Sequence, residues 1–543
     1  MRELPAVWNH DGQYRVKCRD TSLNQGGTAE FPSLALAMDG FFIAICMGGT
    51  AMMSLEELRS FAPSFSTVPV YRTLYADMCT PVGVLRLLRN ISRQCYLLES
   101  MEDSGRWGRY TFLGCDPELE LIAKSGSIEM HTGATVIRKQ GSVQDVIREI
   151  LDENKAPKLS ELPPFTGGLV GFFAYEYAGC VEKALTFHSE DDEEVPDVDL
   201  LLFNKVIVFD HLKQKIFLIA NVMLDSAEEN YHKAASELEM LEKLILNGKM
   251  AAPDPFSMDE PLEELFTEEE YCRMVEETKH YIHEGDIFQA VISNRLSAPA
   301  HGSLLDVYRA LRTTNPSPYL FYFSSAKIEI AGSSPETLTR LNDGRLFTFP
   351  LAGTRPRGHT PSEDDALERE LRSDPKELAE HNMLVDLGRN DLGRISEFGT
   401  VKVEKLHEIL KFSQVMHIGS TVSGVIRDGM TAIDAIGSVL PAGTLSGAPK
   451  LRAMQIIDEL EGHRRGVYGG AVGYLDFTGN MDVCIGIRLA YKIGGRVYVK
   501  AGAGIVADSV PEKEYQECCN KARAVVLALK EAAGGLDYES DNR

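Results

Sequence analysis

Two pairs of glutamates place the strongest demand on how this chain can fold: Glu377 and Glu380 in DPKELAEHNMLVDLGRND, and Glu514 and Glu517 in DSVPEKEYQECCNKA. Within each pair the spacing is three, so on a helix both carboxylates leave one face about one turn apart. A single Glu-x-x-Glu is ordinary decoration of a solvated helix face. If the two helices face each other, the fold must join segments more than a hundred residues apart in sequence, and four hard oxygen donors converge. Such a cage suits Mg²⁺, which takes carboxylate and water ligands and leaves positions open for an anionic substrate.

The interval between and around the pairs holds four glycine-dense segments: FPLAGTRPRG at 349 to 358, GTLSGAPKLRAM at 443 to 454, YGGAVGY at 468 to 474 and AGAGIVADS at 501 to 509. Glycine beside small hydroxyl residues and arginine builds turns whose exposed N–H groups can approach an anion closely. Together with the carboxylates, these segments predict a site for a small molecule with several negative charges, held by backbone amides, arginine and a metal.

The net charge of −24, from 80 acidic against 56 basic residues, argues against a nucleic-acid partner, which would need a basic face. A chain of 543 residues that is 44% hydrophobic can bury a large core and fill two or more domains. Ten cysteines without a C-x-x-C pair or regular spacing read as free thiols of a reducing cytosol. The longest uncharged run, residues 40 to 55, falls short of the roughly 20 residues a membrane-spanning helix needs.

Residues 1–53 have no clear periodicity and read as a disordered extension or a mis-called translation start. Ser54 then looks like an N-cap, with Glu57 at the capping-box position of SLEEL. Residues 54–250 form a first α and β region. It includes LLFNKVIVFD and KIFLIANVM around HLKQ, which resembles a hairpin, and the amphipathic helix SAEENYHKAASELEMLEKLIL. NGKMAAPDPFSMDEP is a glycine- and proline-rich boundary. A second region over 262–533 opens with the helix TEEEYCRMVEETKHYIHEG, and 534–543 is a polar tail.

From about residue 54 to 533 the chain resembles the anthranilate synthase component I family of chorismate-utilising enzymes. The resemblance rests on TPVGVLRLL, LLES, RWGRYTFLGCDP, GDIFQAVISNR, NPSPYLFYF, GSSPETL, FPLAGTRPRG, LAEHNMLVDLGRND, VMH, GTLSGAPK, CIGIR and AGAGIVADSVPEKEYQE, in that order. Related isochorismate and salicylate synthases carry a water-activating lysine where this chain has Gln289. Lysine-nucleophile aminodeoxychorismate synthases place theirs at the position of Ala352. Ammonia is therefore the implied nucleophile.

The resemblance implies an α+β fold: two domains with large antiparallel sheets packed face to face and helices around them. It implies Mg²⁺ on Glu380 and Glu517, with Glu377 and Glu514 supporting through water. Chorismate's enolpyruvyl carboxylate would meet Arg488, Tyr468 and the amides of Gly502, Ala503 and Gly504, with Gly353 and Thr354 completing the pocket. His417 and Glu336 are the implied proton-transfer residues, and Thr444 a substrate contact. Lys450 has no evident role, and Cys484 is expected to be an inert, core-packed thiol beside the regulatory pocket. That pocket would bind L-tryptophan through Glu99, Ser100, Pro318, Tyr319 and Leu320 and inhibit by linkage.

None of the cysteines sits in a G-x-C-x-G elbow, so a separate glutamine amidotransferase subunit, component II, is expected to supply ammonia. The implied setting is cytoplasmic, with neither nucleic acid nor membrane as partner. Competing readings are an aminodeoxychorismate or aminodeoxyisochorismate synthase, and a non-catalytic tryptophan-binding subunit.

Overall fold

Alternation along the strands sets the layers, because successive side chains leave opposite faces of a sheet. In CYLLE, Cys95 and Leu97 join one hydrophobic cluster while Tyr96 and Leu98 join another. The computed structural model describes residues 7–8, 14–15, 52–100, 108–411 and 415–535. Residues Gly49–Arg543 form one compact unit and Met1–Gly48 another. In the latter, Val7–Trp8 and Tyr14–Arg15 pair as short antiparallel strands. The rest of the 1–53 segment, apart from Met52 and Met53, lies outside the described residues, as do residues 536–543 of the polar tail.

Twelve strands frame the site and the cavity beside it. They are β1 (Cys95–Glu99), β2 (Gly168–Phe173), β3 (Gln289–His301), β4 (Tyr319–Ser324), β5 (Glu329–Ser334) and β6 (Thr337–Asn342), then β7 (Leu351–Pro356), β8 (Val415–Val425), β9 (Ala471–Asp476), β10 (Met481–Ile485), β11 (Leu489–Ile493) and β12 (Arg496–Ile505). One sheet of 13 strands runs in the order Ser257–Met258, β3, β12, β11, β5, β4, β1, Tyr110–Cys115, Lys205–Asp210, Lys215–Met223, Thr67–Tyr75, with Glu263–Glu264 and Gly447–Ala448 also pairing β3. The other, of 12, runs β7, β8, Arg345–Thr348, β6, β10, β9, β2, Val198–Phe203, Leu119–Lys124, Ser127–Thr132, Thr135–Gln140, with Lys402–Lys411 also pairing β8. The pairings named here are antiparallel.

Between the sheets lies an aromatic-rich core that includes Tyr96, Phe112, Phe165, Phe172, Phe203 and Tyr491. Their outer faces pack against helices in two further clusters, so the expected face-to-face sheets with surrounding helices are present. In each sheet strands from 67–223 form one side and strands from 257–505 the other, joined at the β1–β4 pair in one sheet and the β2–β9 pair in the other. Of the expected hairpin, Lys205–Asp210 and Lys215–Met223 do pair. The run LLFNKVIVFD, however, is two strands: Val198–Phe203 belongs to the 12-stranded sheet, and the chain crosses at Asn204 into the 13-stranded one. Asn204 donates to the Glu118 carboxylate and Asn221 donates to the Asn204 backbone carbonyl, while the side-chain oxygens of both asparagines are buried without a hydrogen-bond partner.

Four helices position the site: α1 (Leu305–Thr314), α2 (Pro375–Gly393), α3 (Lys450–Glu461) and α4 (Pro511–Ala533). Both glutamate-bearing helices start with proline in the first turn, where a missing N–H is harmless. Asp374 caps α2 by accepting from the Lys376 and Glu377 amides. The other helix starts read from sequence also appear: Ser54 caps Leu55–Arg59, and Thr267 with Glu270 forms a full capping box on Glu268–Glu284. Among the described residues no helix is long and apolar enough to cross a membrane.

Candidate active site and a second cavity

A β-bulge begins the site. Strand β7 slips register against β8 between Ala352 and Thr354, leaving Gly353 at φ 64°. A methyl group there would lie 2.9 Å from Leu371 Cδ1 and 3.1 Å from Glu377 Oε2, so this position requires glycine on two counts. The bulge turns the Gly353 carbonyl toward His417 of β8, whose Nδ1 lies 3.0 Å from it and 3.1 Å from Thr354 Oγ1. A carbonyl can only accept, so Nδ1 carries the hydrogen and Nε2 has the lone pair in the neutral ring. Burial, opposed by the Gly353 bond and reinforced by Arg488, lowers the His417 pKa, so the neutral ring is the ordinary state.

Glu336 sits in the turn between β5 and β6, with its backbone fastened by Ile485 N to Glu336 O at 3.0 Å. Burial pushes its carboxyl up to about 7, against the hydrogen bond from Thr444 and the charges of Lys521 and Arg488. Thr444 Oγ1 donates to Glu336 Oε1 at 3.2 Å from the short 3-10 turn Gly443–Leu445. Arg488 stands between β10 and β11 at φ 50°, an uncommon backbone for a residue with a side chain. Burial holds its guanidinium below the usual range, with Glu336 opposing, and among the described residues it makes neither hydrogen bond nor ion pair. A desolvated, unpaired guanidinium is a strong recruiter of a carboxylate.

The glycines of β12 let other groups close in. A methyl on Gly502 would lie 2.6 Å from Ile292 O and 3.0 Å from the Tyr468 hydroxyl, and one on Gly504 would lie 2.6 Å from Gln289 Nε2. Ala503 between them is fully buried.

The glutamate pairs come within electrostatic reach of one another. Desolvation, then repulsion from Glu377 and from Glu517 on the other helix, raises the Glu380 pKa. Desolvation likewise raises Glu514, with Glu517 adding to it and Ser509 and Lys521 opposing. Arg355 reaches Glu377 at 3.3 Å, and Lys521 reaches Glu517 at 2.7 Å and the Gly502 carbonyl at 3.1 Å. Among the described residues no three acidic, imidazole or thiol groups stand close enough to form a ready-made cation cage. The donor set nonetheless fits a hard divalent cation: all its candidate donors are carboxylates, and Glu380 and Glu514 are disfavoured as anions first by burial and then by repulsion from neighbouring glutamates, which a cation would relieve.

The charges of Glu336, His417, Arg488, Lys521, Glu380 and Glu514 are thus linked in one neighbourhood. Sequence reading missed Lys521, although its i,i+4 spacing from Glu517 on a helix was a legible signal. Lys450 is taken by Asp391 at 2.8 Å and the Val439 carbonyl at 3.0 Å.

A second cavity opens between the two sheets. Its lining includes Glu99, Ser100, Pro318, Tyr319 and Leu320, together with Cys484. Ser100 Oγ is buried without a hydrogen-bond partner. The Glu99 carboxylate is already engaged: it accepts from Tyr308 and, at 2.5 Å, from Arg312 Nε, both on α1. Asp482 and Arg340, which no spacing in the sequence marks, also line the cavity. Asp482 accepts from the Tyr319 hydroxyl at 2.8 Å. Burial pushes the Cys484 thiol far up, as expected of an inert core cysteine.

Comparison with known proteins agrees with this geometry. A family profile described as chorismate binding enzyme matches residues 93–527. Anthranilate synthase component 1 of Acetivibrio thermocellus is 45% identical over 495 residues, covering 88% of this chain and 98% of the relative. That of Acinetobacter calcoaceticus is 42% identical over 504 residues, covering 90% and 99%. The crystal structure of anthranilate synthase component I from Streptococcus pneumoniae TIGR4 superposes with a TM-score of 0.68 at 37% identity, covering 83% of this chain and 98% of that one. The menaquinone-specific isochorismate synthase of Escherichia coli, at 19% identity and a TM-score of 0.63, shares the fold. On the family match, the coverage of these relatives and the shared fold, the chain belongs to the chorismate-binding enzymes, alongside the anthranilate synthase component 1 proteins.

Proposed function

We propose that this chain converts chorismate and ammonia to anthranilate and pyruvate, the first committed step toward L-tryptophan. The observation that carries the reading is Arg488: a partly buried guanidinium without a hydrogen-bond or ion-pair partner among the described residues, within electrostatic reach of Glu336 and His417. Chorismate is a dicarboxylate whose ring must lose a hydroxyl, gain ammonia and shed pyruvate. Arg488, with Tyr468 and the amides of Gly502 to Gly504, receives the enolpyruvyl carboxylate, while Gly353 and Thr354 close the pocket.

Glu380 and Glu517 would hold Mg²⁺, with Glu377 and Glu514 behind bound water. When bound, the ion supplies Lewis acidity and a fixed place for the ring carboxylate. His417, neutral and fixed through Nδ1, presents Nε2 as a proton acceptor, and Glu336, titrating near neutrality, serves as its counterpart in proton transfer. The name component 1 carried by the relatives supports a second, glutaminase component as ammonia source. The free thiols of the described cysteines support a cytoplasmic setting.

The cavity holding Ser100, Pro318 and Tyr319 is the proposed tryptophan site, since it is apolar, between the sheets, and carries an unpaired hydroxyl. Inhibition there would be a linkage between two sites, with chorismate weakening tryptophan reciprocally. The test is product identification by fluorescence and mass from purified chain with chorismate, Mg²⁺ and ammonium salt, with and without tryptophan. Anthranilate plus pyruvate, suppressed by tryptophan, is expected. An aminodeoxy product without pyruvate would transfer the assignment to an aminodeoxychorismate or aminodeoxyisochorismate synthase, and absence of turnover to a non-catalytic subunit.

A further inference from the structure

The geometry points to Arg465 as a positioning residue whose one guanidinium sets both Tyr468 and the turn carrying Thr444. Its side chain is 2% exposed, and all three of its guanidinium nitrogens donate hydrogen bonds. Nη1 donates to the Leu445 carbonyl at 2.6 Å. Nη2 donates to the Val291 carbonyl at 2.6 Å and to Glu461 Oε1 at 2.5 Å, and Nε donates to Glu461 Oε2 at 2.9 Å. The guanidinium carbon lies 4.7 Å from the centre of the Tyr175 ring and 5.8 Å from that of Tyr468.

Leu445 closes the turn in which Thr444 bonds Glu336. Val291 lies on β3, paired with Gly504 of β12. One cation thereby ties together the proton-transfer carboxylate, the glycine strand and the tyrosine.

The main chain around Arg465 is pinned independently. Glu176 accepts from the amides of Arg465 at 2.6 Å and Gly466 at 3.0 Å. Lys500 Nζ donates to the carbonyls of Arg464 at 2.7 Å and Arg465 at 3.1 Å. With the loop already held from both sides, the guanidinium is free to act on its neighbours rather than on its own backbone. A buried ion pair contributes little net stability compared with an apolar filling, so the Arg465–Glu461 pair is better explained by geometry than by folding energy. Lysine could keep the charge opposite Glu461 but not the planar fork that reaches Leu445 and Val291 together.

This inference rests on Tyr468 and Thr444 touching chorismate. The test uses the full chain with Arg465→Lys and, separately, Tyr175→Leu, which removes the ring beside the guanidinium while leaving its hydrogen bonds in place. Chorismate affinity is read by calorimetry, KM and kcat with ammonium and Mg²⁺, and the pH profile across neutrality.

Arg465→Lys is expected to weaken chorismate binding and raise KM roughly tenfold or more, as small misplacements of contacts do, and to displace the pH limb governed by Glu336. Tyr175→Leu moves the same readouts by less. If Arg465→Lys does not fold, Tyr175→Leu decides. Folded variants with wild-type affinity and pH profile, altered only in melting temperature, would overturn the inference. Should the wild type bind chorismate yet release a different product, the functional reading fails and the affinity change in the variants still decides the role of Arg465.

Discussion

Replacing Glu336 by Gln keeps the shape that accepts from Thr444 while removing the titration, so the stabilities of the two proteins should diverge with pH. Burial raises the wild-type carboxyl from 4.5 to about 7. Below about pH 4.5 the group is protonated in both the folded and the unfolded chain, and the two proteins differ only by a constant. Between 4.5 and about 7 the folded wild type retains a proton that its unfolded chain has lost, so its stability falls as pH rises. Above about 7 the loss levels off.

At about 1.4 kcal/mol for each pH unit, that interval integrates to roughly 3 kcal/mol at pH 8, and to about half as much at pH 5.5. Any altered bond to Thr444 adds an offset that does not vary with pH. Urea denaturation of both proteins in chelator at half-unit steps from pH 4 to 8.5 measures the difference. Glu336→Gln should gain stability relative to wild type through this window while losing most of its turnover. A difference flat to within about 0.5 kcal/mol would mean that Glu336 ionises in its ordinary range, and the enclosed-carboxyl reasoning would be wrong.

Gly353→Ala should lower stability by about 1–2 kcal/mol, from the positive φ and the contact at 2.9 Å with Leu371, and should depress turnover further by disturbing the His417 bond; denaturation and initial rates on the same preparation check both. Chelation of divalent cations should abolish turnover and added Mg²⁺ restore it. In Glu380→Gln, Mg²⁺ affinity measured by calorimetry should fall at least about tenfold, as expected when a cage loses a charged ligand. Ser100→Leu should fill part of the cavity beside Pro318 and Tyr319, and a calorimetric titration should then find tryptophan binding weakened at least about tenfold, with inhibition displaced to correspondingly higher concentrations.

Local chemistry was legible in the chain without tertiary information. Thr267 and Gly285 bound a helix because a capping box and a left-handed glycine each satisfy helix-end groups within a few residues. The spacing of Glu377 with Glu380 and of Glu514 with Glu517 survives into the structure for the same reason: helical periodicity is a property of neighbouring residues. Glycine-dense segments likewise announced where backbone would approach other groups, at Gly353, Gly502 and Gly504.

What pairs with what belonged to tertiary structure. Strand pairing depends on partners far along the chain, so nothing in LLFNKVIVFD marks Asn204 as the point where the strand changes sheet. The electrostatic neighbourhood that raises Glu336 toward neutrality and leaves Arg488 unpaired arises from burial, which no local pattern encodes. The direction of the Glu99 carboxylate, toward Tyr308 and Arg312, was settled only when β1 and α1 packed, because alternation along a strand determines opposite faces but not which face meets which neighbour.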